Sequence, residues 1–246
     1  MPLRLSPMTE MNDAASKLKS TLHLNVEPIG ISFSDRVDPS QEFFDSEMPS
    51  PTEDGRTGRV AAGCVFWMHA VDRRFATVAA DHANCSVGSF THGFLELSTA
   101  ATKSDVGTLV SSGWVSESDF GLIEHVTTQP AQVIYEPLSS ASSIPDVVFL
   151  RLNARSAMIF RDAFPTARIE GKPQCHIVAI AKELGEIALS FGCMLSRTRT
   201  SMPSSEMTAA IPGSLLNHAL DRLEETASID RNVATYASID SKRFVN

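Results

Sequence analysis

The sequence predicts a mixed α/β or α+β fold, a mixed sheet covered by helices, made as one domain from two pseudo-repeated halves. Three observations carry that prediction. Short apolar strands alternate with amphipathic helices along most of the chain. Two stretches, CVFWMHAVDRRFATVAADHANC (Cys64 to Cys85) and CHIVAIAKELGEIALSFGC (Cys175 to Cys193), each read as two turns of helix, a charged turn and a short strand. An apolar strand precedes each of them, EPIGISF in one case and PDVVFLRL in the other. Each stretch begins and ends on cysteine, and together they hold all four cysteines of the protein. The strands FATVAA and EIALSF both start eleven residues after the first cysteine of their unit, and a three-residue insertion, Asp81-His82-Ala83, brings Cys85 level with Cys193.

Composition narrows the function. At 246 residues, 43% hydrophobic and 20% charged, the chain has enough apolar content for a substantial core. We read one domain over 1–246, with a first half at about 9–125, a second at about 132–226 and a polar tail at 228–246. The formal net charge is -8 and there is no basic run, so a phosphate backbone would be repelled and nucleic acid is not an expected partner. No apolar stretch reaches the roughly 18–20 residues that span a bilayer, and the N-terminus lacks the apolar core of a secretion signal. No membrane association and a cytoplasmic location are expected. In that reducing compartment, cysteines placed by a repeat point to metal or redox chemistry rather than disulfides.

Taken in order, the stretch from Thr9 to His23 has Met11, Ala14, Ala15, Leu18 and Leu22 at helical spacing. Glu27 to Ser34 reads as a strand behind Pro28. The Asp-, Ser-, Pro- and Gly-rich run from Asp35 to Gly58 suits a surface loop that closes over something. Beyond the first cysteine unit, helices are expected near Ser104 to Ser111 and Glu117 to Glu124, each with a capping side chain at its start. Val133 to Tyr135 reads as a short strand, and LSSASSIP as the junction between halves. Val147 to Leu152 is an apolar run bounded by Pro145 and Asn153, hence a buried strand, and Asn153 caps a helix that stops at Pro165. SRTRTSMPSSEM is expected to be a loop, with Pro212 opening a final helix.

Four cysteines related by a pseudo-twofold axis can approach one point, which would suit a 4Fe-4S cluster or a tetrahedral zinc site. Thiolates are soft anionic donors, and a metal offsets the cost of deprotonating them. The expected metal ligands are therefore Cys64, Cys85, Cys175 and Cys193. Haem bound through one histidine or cysteine is a further alternative. Against all of these stands plain packing, because free cysteine is among the most buried residue types, and no Cys-x-x-Cys pair is present. Asp81 and His82 form an adjacent pair that would manage a proton or supply a nitrogen ligand. Arg197 and Arg199, on one side if their segment is extended, would bind a carboxylate or phosphate, and Trp67 would wall the pocket.

The N-terminal helix with LNVEPIGISF, the Cys64 helix, the strand leading to Cys85-Ser-Val-Gly, PDVVFLRLN, SFGCMLSRTRT with the later Glu206, and IPGSLL together resemble domain-of-unknown-function family 169, from about Lys17 to Leu223. The resemblance implies a single cysteine-bearing α/β domain and brings no reaction with it. The long acidic loop before Cys64 departs from the family. The functional expectation is a metal- or iron-sulfur-dependent enzyme acting on a small anionic organic molecule, by redox or lyase-type chemistry. A non-catalytic metal or ligand sensor is the alternative.

Overall fold

The computed structural model describes residues 7–44 and 60–243. Its elements in chain order are α1 (Pro7–Leu22), β1 (Ile29–Ser34), α2 (Cys64–His69), β2 (Phe75–Thr77), α3 (Ala79–His82), α4 (Ser86–Thr91), α5 (Leu97–Ala101), α6 (Ser104–Ser111), α7 (Glu117–Phe120), β3 (Gln132–Pro137), β4 (Val147–Leu152), α8 (Ala154–Ala163), β5 (Arg168–Glu170), α9 (His176–Ala179), β6 (Ala188–Ser190), α10 (Met194–Arg199), β7 (Met207–Pro212) and α11 (Leu216–Ser241). The fold is α/β, with one open mixed sheet in the order β2-β3-β1-β4-β7-β6-β5.

Strand alternation sends side chains to two cores. Val148, Leu150 and Leu152 of β4 join Leu18, Leu22, Phe160 and Leu223 from α1, α8 and α11 on one face. Val147 and Phe149 join Phe66, Trp67, Ile177 and Val178 from α2 and α9 on the other. A smaller cluster under α4, α6 and α7 holds Cys85, Val87, Phe90, Val106 and Phe120. β4 is buried along its whole length, as its continuous apolar sequence requires.

The ladder registers establish the duplication. Ile29 at the start of β1 pairs with Pro137 at the end of β3, and Val147 at the start of β4 pairs with Pro212 at the end of β7. That makes Gly30 equivalent to Val148, and these two residues face each other where β1 meets β4. A pseudo-twofold axis therefore passes through the Gly30–Val148 pair. It exchanges β2-β3-β1 with β6-β7-β4. Even the outermost pairing repeats, since the parallel bridge of Phe43 to Ala76 matches the parallel pair of Ile169 and Leu189.

The same registers correct the alignment of the cysteine units. Phe75 pairs with Tyr135 and Ala188 pairs with Ala210, so Phe75 is equivalent to Ala188 rather than Glu186. The second unit carries two extra residues in a π-turn, Ile180–Leu184, closed by Gly185 at φ 65°. FATVAA is a strand only to Thr77, after which Ala79–His82 turns into α3, and this first-unit excess separates β2 from Cys85.

Other expectations shift too. Pro212 ends a strand rather than opening a helix, and the tail from 228 continues α11 to Ser241 instead of lying loose. The helix expected over Glu117 to Glu124 is a single turn to Phe120. Of the loop over Asp35 to Gly58, residues 45–58 lie outside the described residues. Among the described residues no helix is long and apolar enough to cross a membrane.

Candidate functional site

Each cysteine sits at a helix start, in matched fashion. Cys64 is the first residue of α2 and Cys175 the N-cap of α9. Cys85 and Cys193 are the N-caps of α4 and α10, with nearly identical extended φ of -134° and -137°. The halves then exchange helices: α4 packs on α9 and α10 packs on α2.

All four cysteines line one cavity. Its walls come from equivalent positions of the two units, namely the two residues before the first cysteine (Ala62 and Gly63, Pro173 and Gln174) and those two and three after the second (Val87 and Gly88, Leu195 and Ser196). Trp67 and His92 complete it. Only the first half supplies those last two. The space open to the centre of a water molecule is about 30 Å³.

None of the four cysteines is in a disulfide. Burial pushes the Cys64 thiol up to about 12, raises Cys85, and raises Cys175 well above its ordinary value. Mutual repulsion among the sulfurs adds to that rise. Without a cation these groups are neutral thiols, poor nucleophiles at neutral pH. Among the described residues no three His, Cys, Asp or Glu side chains stand close enough to share a single metal ion.

Polar groups around the cavity are left over. Trp67 Nε1, His92 Nε2 and Gln174 Oε1 are buried and have no hydrogen-bond partner among the described residues. Buried polar atoms without partners are uncommon in folded proteins. Thr91 Oγ1 lies 3.3 Å from Cys175 Sγ, and the Gly88 amide faces the Cys85 sulfur.

The expected catalytic pair divides. Asp81 Oδ2 accepts from the Val78 amide at 2.8 Å, which caps α3. His82 Nε2 meets Thr77 Oγ1 at 3.0 Å, and its ring packs against Phe66, Phe94 and His92. Burial holds His82 well below its ordinary pKa, so it is neutral. It stands behind the cavity wall, where a Cβ on Gly63 would come within 3.0 Å of Nδ1.

Arg197 and Arg199 also part company. Their segment is helical, so residues two apart point in different directions. Arg197 donates to the carbonyls of Pro203, Phe191 and Glu206, and so holds the α10–β7 turn together. This corrects the expected extended pair. Arg199 instead places its charge where it favours the Cys85 thiolate. Trp67 is fully buried, lines the cavity and packs at a tilt on Phe149, with ring centroids 4.4 Å apart.

His92 was not singled out by sequence. It donates from Nδ1 to Gly88 O at 3.0 Å, and burial lowers its pKa to about 4. Its signal, a histidine seven residues after Cys85, acquires meaning only once the helix between them is known.

A family model described as uncharacterised ArCR, domain-of-unknown-function family 169, matches residues 17–222. The chain belongs to that family. No curated protein and no solved structure matches it. The match to family 169 spans both cysteine units and the whole seven-stranded sheet, so the cavity lies within the family's shared extent.

Proposed function

We propose that the four cysteines hold an iron-sulfur cluster of the 4Fe-4S type and that the protein uses it for redox chemistry in a reducing compartment such as the cytoplasm. The observation that carries this reading is the meeting of four thiols, two from each repeated unit, around one cavity on the pseudo-twofold axis. The donor set suits the group. A cluster takes cysteine thiolates as its ligands, and four cysteines line this cavity. Zinc, which takes thiolates at about 2.3 Å, is the alternative occupant.

When bound, such a cluster supplies one-electron transfer. The chain's own groups do the rest. Trp67 and the apolar cavity walls exclude water, and Arg199 favours negative charge on the Cys85 sulfur. The same guanidinium is the remaining candidate for meeting a small anionic partner molecule. Four thiolates on four corners leave no iron open, so electron transfer or sensing is favoured over lyase chemistry.

The test is purification and reconstitution with iron and sulfide in the absence of oxygen. The expected result is about four irons and four sulfides per chain, with visible absorption that bleaches on reduction and is lost in Cys→Ser variants. A reconstituted protein that holds no iron and still offers four titratable thiols overturns the proposal.

A further inference from the structure

Resting on that cluster reading, we infer that Thr91 is a positioning residue that sets the reduction potential of the cofactor, through a hydrogen bond from its hydroxyl to the Cys175 sulfur. Thr91 closes α4, belongs to the first half, and reaches across the pseudo-axis to a cysteine of the second. It is 1% exposed, and its oxygen lies 3.3 Å from the sulfur.

The surrounding bonds crowd the other acceptor open to its single hydrogen. Gly88 O lies 3.0 Å from Thr91 Oγ1, the usual back-bonding partner within a helix. That carbonyl is already served twice by His92, from its amide at 3.2 Å and from Nδ1 at 3.0 Å. A carbonyl oxygen has two lone pairs. His92 Nδ1 must carry its proton to reach a group that only accepts, and the same N–H lies 3.2 Å from Thr91 Oγ1. The hydroxyl's one hydrogen therefore has two acceptors in reach, the crowded Gly88 carbonyl at 3.0 Å and the Cys175 sulfur at 3.3 Å.

A neutral thiol accepts weakly, whereas a metal-bound thiolate is a strong acceptor, so the bond strengthens when the site is loaded. A hydrogen bond to a ligating sulfur draws electron density from the iron and makes one-electron reduction easier. The equivalent position in the second half is Arg199, whose charge acts on Cys85. At both equivalent positions the side chain thus stabilises negative charge on a sulfur, by a neutral donor in one half and by a cation in the other.

The experiment uses the full-length reconstituted protein, wild type and Thr91→Val, with dithionite as the one-electron reductant in a potentiometric titration followed by electron paramagnetic resonance. Iron and sulfide are counted first. If wild type binds none, the cluster reading itself fails. With equal loading, the midpoint of Thr91→Val is expected to move to more negative potential, and Thr91→Ser to restore it. Equal loading with an unmoved midpoint overturns the role of Thr91 and leaves the cluster intact. Should the valine variant not load, the reduced wild-type protein briefly moved into D₂O gives the answer. A rapidly exchanging deuteron coupled to the cluster is expected, and its absence overturns the inference.

Discussion

Replacing Cys85 by alanine separates a cofactor ligand from core filler. Cys85 is buried in the small cluster with Val87, Phe90 and Phe120, and the substitution removes one sulfur, comparable in size to a methylene. At about 0.8 kcal/mol for transfer plus a small term for the vacated space, the metal-free protein should lose roughly 1 kcal/mol. For a chain of this length that lowers Tm by about 2–4 °C. In the loaded protein the loss is larger, because a ligand held at about a thousandfold over its Kd adds about 4 kcal/mol to the folded state, worth roughly 10 °C. Anaerobic melts of wild type and variant, each with and without a strong iron chelator, measure both numbers. Core filler gives the same small shift under both conditions. If Cys64, Cys85, Cys175 and Cys193 all behave that way, the cofactor reading is refuted.

Three further outcomes are expected. The metal-free protein should lose stability as pH rises above 9, because the unfolded Cys64 thiol ionises near 9.0 while the folded one is held up to about 12; the slope is about 1.4 kcal/mol per pH unit from this group, and urea melts of Cys64→Ala should lack that component. Glu206→Ala should cost about 3–5 kcal/mol, since it leaves the Arg151 guanidinium, 2.7 Å from the carboxylate in the native protein, buried with no ion-pair partner among the described residues; chemical denaturation reads this directly. Arg197→Lys should lose about 1–3 kcal/mol, because one ammonium cannot reach the three carbonyls that the fork serves, and iron content per folded chain should not change.

What was legible in the sequence was legible where local and long-range forces agree. β4 was read at its true bounds because Pro145 and Asn153 bracket an unbroken apolar run that is buried on both faces. The Asn153-capped α8 followed from a side chain able to cap, whereas α6 has Lys103 as its N-cap and no side-chain cap, so its bounds were read for a reason the structure does not bear out. β7 was missed because MTAAIP has little β-branched content, and its strand character comes from pairing on both sides, with β4 and β6. β5 has three residues, too few for any period to show. Beyond Ala227, Ile229, Val233, Tyr236 and Ile239 recur at helical spacing among polar residues, yet they are exposed, so the segment reads as tail although it extends α11. In the site, the cysteines were visible because the repeat marks them. His92 and Thr91 were not, since the first is defined by a carbonyl one helical turn back and the second by a sulfur 84 residues away.

The duplicated backbone and the diverged side chains do different work. Symmetry alone accounts for four thiols around one cavity: a unit with a cysteine at each end, doubled about the Gly30–Val148 pair and with its helices exchanged, brings them there together. Symmetry cannot account for Trp67 opposite Val178, Gly88 opposite Ser196, Thr91 opposite Arg199 or His92 opposite Thr200. At three of those equivalent pairs one member alone supplies an indole, an imidazole or a cation, and Trp67 and His92 line the cavity where Val178 and Thr200 do not. A packed interior that merely tolerated cysteine would have no reason to set uncompensated buried donors and acceptors, Trp67 Nε1 and His92 Nε2 among them, around the thiols of one half. Removing the unmet donor, as Trp67→Phe, should stabilise the metal-free protein or leave it unchanged, because the exchange relieves an unmet polar group, and should weaken iron retention in the loaded one. Equal destabilisation of both forms would mean that the asymmetry serves the fold and not the cavity.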